Sequence, residues 1–168
     1  FNDFDRIFEL VKKQLGLSAT TYDLFGHSAG GHILHRMALF QHNSYANRIV
    51  ASNASFYTLP NYEDTYPFGL KNTSLNEEIL KTTFAKKLIV FLGEKDNETE
   101  TRGIFLRSKT ADKQGLHRLA RGIYFFESAK EKANELVVEF NWQLKVIPNV
   151  GHDQENMGKA AGNLLYNK

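Results

Sequence analysis

The 168-residue sequence contains no cysteine. Disulfides, thiol nucleophiles and zinc–thiolate sites are therefore excluded, while the compartment stays open. Long apolar runs are missing too. The longest are about the size of LIVFL (88–92), far short of a membrane span. Charge of one sign is equally scarce. The 21 Lys and Arg stand against 19 Asp and Glu, a formal net charge of +2, which makes no electrostatic case for nucleic acid or an anionic membrane as partner. There are three prolines and no repeat, low-complexity tract or proline- or serine-rich linker. Residues 1–168 are accordingly expected to form a single domain, long enough to bury a sizeable core.

Helical and strand patterns alternate along the chain. Residues 3–16 carry a helical apolar stripe at positions 4, 7, 8, 11 and 15, closed by Gly16. Residues 21–25 read as a short buried strand, 30–42 as a helix and 48–54 as a second strand. An aromatic-rich loop over 55–72 follows. Ser74 with Glu77 three residues on suggests a capping box opening a helix over 74–84. Residues 87–93 are the strongest strand signal, 117–137 a long helix weakened at Gly122, 140–148 the last strand and 156–167 a closing helix. Strands separated by helices imply an α/β fold, a parallel sheet flanked by helices.

Chemistry concentrates at Gly26-His27-Ser28-Ala29-Gly30, which fits G-x-S-x-G between a predicted strand and a predicted helix. On such an elbow a serine is held in a strained conformation that lifts its hydroxyl above the sheet. Gly26 and Gly30 are brought together, where only glycine-sized residues are expected to fit. The N–H of Ala29, at the helix start, is placed to stabilise an oxyanion. A serine nucleophile needs a base, and the base an orienting acid. Asp96 follows one strong strand and His152 follows the last strand, so both fall at the carboxyl edge where sites assemble in open α/β sheets. The order Ser28, Asp96, His152 is the α/β-hydrolase order. Glu94 and Glu98 flank the acid as neighbours, and Asp153 beside His152 reads as a surface acid or helix N-cap.

Nearly the whole chain resembles the α/β-hydrolase superfamily. More narrowly, YDLFGHSAGGHILHRMALF, ASNASFYTLPNYEDTYPFGL, GLHRLARGIYFFESA and FNWQLKVIPNVGHD are similar to a group of serine esterases related to poly(hydroxyalkanoate) depolymerases. The resemblance implies Ser28 as nucleophile, His152 as general acid/base and Asp96 as its orienting acid. It also implies a carboxylic-ester substrate, small or polymeric, with no cofactor. His27, His32 and His35 lack a carboxylate that would complete a metal-ligand motif, and they read as packing or surface histidines. Phe56, Tyr57, Tyr62, Tyr66 and Phe68 either roof a pocket or pack their loop onto the body. Arg102, Arg118 and Arg121 read as structural or solvated.

Against the eight strands usual in that superfamily, only the last four are assignable here. The first four, and the loop supplying the second oxyanion N–H, are not. The nucleophile strand is therefore expected at an open sheet edge, and the oxyanion is left with one backbone donor. Losing such a donor costs roughly 2.7–4 kcal/mol. The chain is on this reading the C-terminal part of a larger enzyme. A thioesterase, peptidase or acyltransferase would use the same groups, and a catalytically inert binding or interaction fragment that retains them is the alternative of a different class.

Overall fold

The computed structural model describes residues 1–167. Its elements are α1 (Asn2–Leu15), β1 (Tyr22–His27), α2 (Ala29–Phe40), β2 (Ala46–Ser52), α3 (Glu77–Phe84), β3 (Lys87–Gly93), α4 (Lys109–Asp112), α5 (Arg118–Glu135), β4 (Gln143–Ile147) and α6 (Gln154–Tyr166). The four strands form one sheet in the order β1-β2-β3-β4, and all three pairings are parallel. Parallel neighbours demand crossovers, which the intervening helices supply.

Strand periodicity divides the interior. Along β3, Leu88, Val90 and Leu92 point into one cluster with Leu34, Met37, Leu39, Phe84, Phe125 and Trp142. Ile89 and Phe91 point the other way, against Met157 and Ala161 of α6. Six of the seven β3 residues are buried, which explains why its sequence is a continuous apolar run rather than an alternation. Near the ends of α3 and β4, the Phe84, Phe125 and Trp142 rings meet at centroid separations of 5.4 Å. The Trp142 indole N–H is satisfied by the Thr83 carbonyl at 3.1 Å. Gly122 is less a weakness than a fitting. A Cβ there would lie 2.4 Å from Leu92 Cδ2, so glycine lets α5 settle against β3.

Several details depart from the sequence reading. The second strand runs over 46–52 rather than 48–54, because Asn53 turns the chain with φ 50. The Ser74 capping box does not form. Asn76 is the N-cap of α3, its side chain accepting from the Ile79 N–H at 3.0 Å. Helix α4, four residues capped by Ser108, was too short to leave a periodic signal. The stripe on α1 stays largely in solvent, with Ile7 and Leu15 each more than half exposed and Val11 44% exposed. Only its Phe4 and Phe8 reach the body, Phe4 against the larger cluster and Phe8 against Tyr22 and Tyr45. Strand β1 is an edge of the sheet, as expected.

Candidate active site

At the carboxyl end of β1 the backbone turns sharply into α2. Ser28 has φ 54 and ψ −110, a conformation sparsely populated by residues with a side chain. Its N–H donates to the Ser52 carbonyl at 2.9 Å and its own carbonyl accepts from the His32 N–H at 3.1 Å, so both neighbours fix the turn. Ser28 occupies the N-cap position of α2, yet its side chain makes no capping bond. A serine at that position ordinarily bonds the first-turn amides. Here the hydroxyl is aimed elsewhere. The steric reasoning for the elbow holds at Gly26, where a Cβ would stand 2.7 Å from the Gly30 backbone. At Gly30 it does not hold, since a Cβ there meets nothing within 4 Å. The second tight position is Gly31, 2.4 Å from the Ser52 carbonyl oxygen.

The hydroxyl of Ser28 meets His152. Oγ lies 3.1 Å from Nε2, and Nδ1 of the same ring lies 2.7 Å from Asp96 Oδ2. A carboxylate can only accept, so Nδ1 carries the proton and Nε2 presents its lone pair to the serine O–H. The three residues, 28, 96 and 152, are thus brought together from the ends of β1, β3 and β4. Asp96 is 1% exposed. It also accepts from Asn53 Nδ2 at 2.5 Å and from Arg118 Nη1 at 3.3 Å. Glu94 instead accepts from the Asn149 N–H at 2.7 Å, and Glu98 lies 3.5 Å from His117, so neither neighbouring acid occupies the place of Asp96. The Ala29 N–H opens α2, where the helix dipole favours negative charge.

Around this trio lies a layer that the sequence did not disclose. Asn53, held at φ 50 just after β2, accepts from Ser52 Oγ at 2.8 Å while donating to Asp96. Ser52 Oγ lies 3.2 Å from His27 Nδ1. With its own proton given to Asn53, that hydroxyl accepts from His27. The His27 ring packs on His152 at 4.5 Å between centroids. Burial, then the nearness of His152, lowers the His27 pKa to about 4 and keeps it neutral near pH 7. Glu100 accepts from the His152 backbone N–H at 2.6 Å and from Arg102 Nη2 at 2.7 Å. The Arg102 hydrogen bonds hold its carboxyl well below the usual carboxylate range. Asp153 caps α6 through the Asn156 N–H and pairs with Arg102 at 3.0 Å, the bystander role expected of it.

Two further histidines, His32 and His35, pack. His35 is wholly buried, with Nδ1 donating to the Gly31 carbonyl at 2.9 Å and Nε2 accepting from the Thr58 N–H at 3.1 Å. His32 Nε2 accepts from the Ser55 N–H at 3.1 Å, and burial lowers its pKa to about 4. Among the described residues no group of three or more His, Cys, Asp or Glu is disposed to hold a metal ion. In the aromatic loop, Tyr57 is fully buried and stacks on Phe125 at 4.7 Å, which is packing. Phe56 and Phe68 pair at 4.9 Å, while Tyr66 is half exposed. Arg118 and Arg121 are buried and structural in the sense expected, but Arg118 also touches Asp96, a contact across 22 positions that no local pattern foretells.

Neither a protein-family model nor a curated protein matches the chain. Solved structures do. Poly(aspartic acid) hydrolase-1 from Sphingomonas sp. KT-1 superimposes with a TM-score of 0.88 at 36% identity over 95% of this chain. LpqC, a poly(3-hydroxybutyrate) depolymerase from Bordetella parapertussis, gives 0.87 at 30% identity over 96%. The fold of the chain is that of the α/β-hydrolases. It spans 60% of the first neighbour and 54% of the second, so its four-stranded sheet represents part of the α/β-hydrolase fold.

Proposed function

We propose that this chain carries the nucleophile, base and acid of a serine hydrolase acting on carboxylic esters. The observation that carries the reading is the His152 ring standing 3.1 Å from Ser28 Oγ and 2.7 Å from Asp96. In the forward step Ser28 Oγ attacks the ester carbonyl carbon while His152 Nε2 takes the hydroxyl proton. The Ala29 N–H receives the developing oxyanion. His152 then gives its proton to the departing alkoxide, which leaves as the alcohol and yields an acyl-enzyme. Water, deprotonated by the same nitrogen, attacks the acyl-enzyme, releases the acid and restores Ser28. Asp96 stays ionised and stabilises the imidazolium formed in each half. Every group in this cycle comes from the chain, so the mechanism as written calls for no cofactor.

The polymer-degrading hydrolases among the structural neighbours support a hydrolytic activity, and a polymeric or small ester substrate fits them. Their names carry different polymers, poly(aspartic acid) and poly(3-hydroxybutyrate). Fold alone does not choose between an ester and the thioester or amide that the same groups would cleave. A fluorophosphonate probe tests the reading. The chain is expected to label, and Ser28→Ala is expected to abolish labelling. Equal labelling of both proteins, or none of either, favours an inert binding or interaction fragment and removes the enzyme reading. Comparing release from a nitrophenyl ester and the matching anilide then decides between ester and amide.

A further inference from the structure

Residues 97–108, between Asp96 and α4, form a strap across the face of His152. At its crest Gly103 has φ 70, and a Cβ there would stand 2.8 Å from His152 Cδ2 and 3.0 Å from Nε2, the nitrogen that faces Ser28. Arginines pin the strap along its length. Arg102 pairs with Asp153 at 3.0 Å, Arg118 Nη2 donates to the Ile104 carbonyl at 2.9 Å and Arg121 Nη1 donates to that of Leu106 at 2.8 Å. The Phe105 ring lies against the guanidinium groups of Arg118 and Arg121, 5.1 and 4.0 Å from its centroid.

Arg118 is the unusual member. It is 3% exposed, its Nε has no hydrogen-bond partner among the described residues, and it sits in the first turn of α5. Each of these is unfavourable for a cation: burial strips its water, and a helix N-terminus repels positive charge. What offsets them is the site itself. One end of the fork reaches Asp96 Oδ1 at 3.3 Å and the other reaches the strap at Ile104, while the Leu119 N–H of the same turn donates to the Asp96 carbonyl at 3.0 Å. We propose that Arg118 is a positioning residue, which ties the strap over His152 to the acid Asp96 and whose fixed charge sets the pH at which the Ser28–His152 pair becomes reactive. The second half of this statement rests on the hydrolase reading above; the first does not.

The charged and titratable groups facing His152 are His27 from β1, Asp96, Glu100 and Arg102 from the segment after β3, Arg118 from α5 and Asp153 from α6. Only Arg118 is changed in the test, which has two arms on the full chain. In Arg118→Lys the charge remains, but a single ammonium cannot span both partners. Trypsin cleavage at Arg102 and Arg107 in the strap is expected to quicken at least threefold, and wild-type protection would overturn the tie. In Arg118→Met and Arg118→Gln the charge is gone. The acid-side midpoint of the fluorophosphonate labelling rate is expected to rise by about one pH unit, the scale of a charge acting across one carboxylate. In Arg118→Lys that midpoint is expected to stay within about 0.3 unit of wild type. An unshifted midpoint in the neutral variants refutes the electrostatic role. Failure of both neutral variants to fold assigns Arg118 to the core and also overturns the proposal. A wild-type chain that does not label at all removes the hydrolase reading instead, and the trypsin arm still decides the tie.

Discussion

Replacing Glu100 by glutamine probes how the loop carrying His152 is held. The Glu100 side chain is 7% exposed and accepts from the N–H groups of Thr101, Arg102 and His152 and from two nitrogens of the Arg102 guanidinium. Glutamine keeps the shape but turns one acceptor into a donor facing donors. Hydrogen bonds to an ionised group contribute roughly 1.5–3 kcal/mol each. Part of that is recovered because Arg102 is half exposed and rehydrates, so Glu100→Gln is expected to lose about 2–4 kcal/mol of stability at pH 7. The pH dependence carries the sharper sign. Hydrogen bonding from Arg102 depresses the folded carboxyl far below its ordinary 4.5. Its stabilisation is therefore complete above that ordinary value and is lost as pH falls toward the folded one. The slope is about 1.36 kcal/mol per pH unit, so the wild-type advantage narrows by about 2 kcal/mol between pH 4.5 and 3.0. Paired urea titrations of the two proteins across that interval measure it, since the other carboxylates cancel in the difference. A gap of constant size from pH 7 to pH 3 would refute an ionised Glu100 as the anchor.

Three further outcomes are expected. Ser28→Gly relieves the backbone strain at φ 54, whereas Ser28→Ala retains it. The glycine variant should be the more stable of the two by about 1 kcal/mol in urea melts, after the entropy glycine restores to the unfolded chain, and equal stabilities would show the elbow to be unstrained. Gly122→Ala drives a methyl against Leu92 and should cost about 1–3 kcal/mol as overpacking; a neutral result would mean that α5 moves freely away from β3. His27 and His32, with burial holding both near a pKa of about 4, bind protons less readily folded than unfolded. Stability should therefore decline as pH drops from 6.5 toward 4, and side-chain NMR titration midpoints above 6 for either ring would contradict that burial.

How much of this was legible beforehand follows the range of the interactions. The β3 run, the Gly26–Gly30 elbow and the chain order of Ser28, Asp96 and His152 are local or ordinal features, readable one segment at a time. The buried supports of the site are not. Asn53, Glu100 and Arg118 reach Asp96 and His152 across 43, 52 and 22 positions, and nothing in their own neighbourhoods distinguishes them from a turn residue, a surface acid and a helix arginine. Short-range rules also compete with one another. Ser74 and Glu77 fit a capping box, but Asn76 stands nearer the first turn and caps it instead. The α1 stripe illustrates the opposite limit. Its period predicts a helix correctly, yet a period does not say what lies opposite, and beside the open edge of β1 most of that stripe remains in solvent.

The reactivity of one hydroxyl tests the central claim most directly. After reaction of the full chain with a fluorophosphonate, peptide mass spectrometry should find a single adduct on Ser28, formed at least a hundredfold more slowly in His152→Ala, in line with the loss of a general base. An adduct spread over other serines, or a rate at Ser28 that does not change without His152, would contradict it.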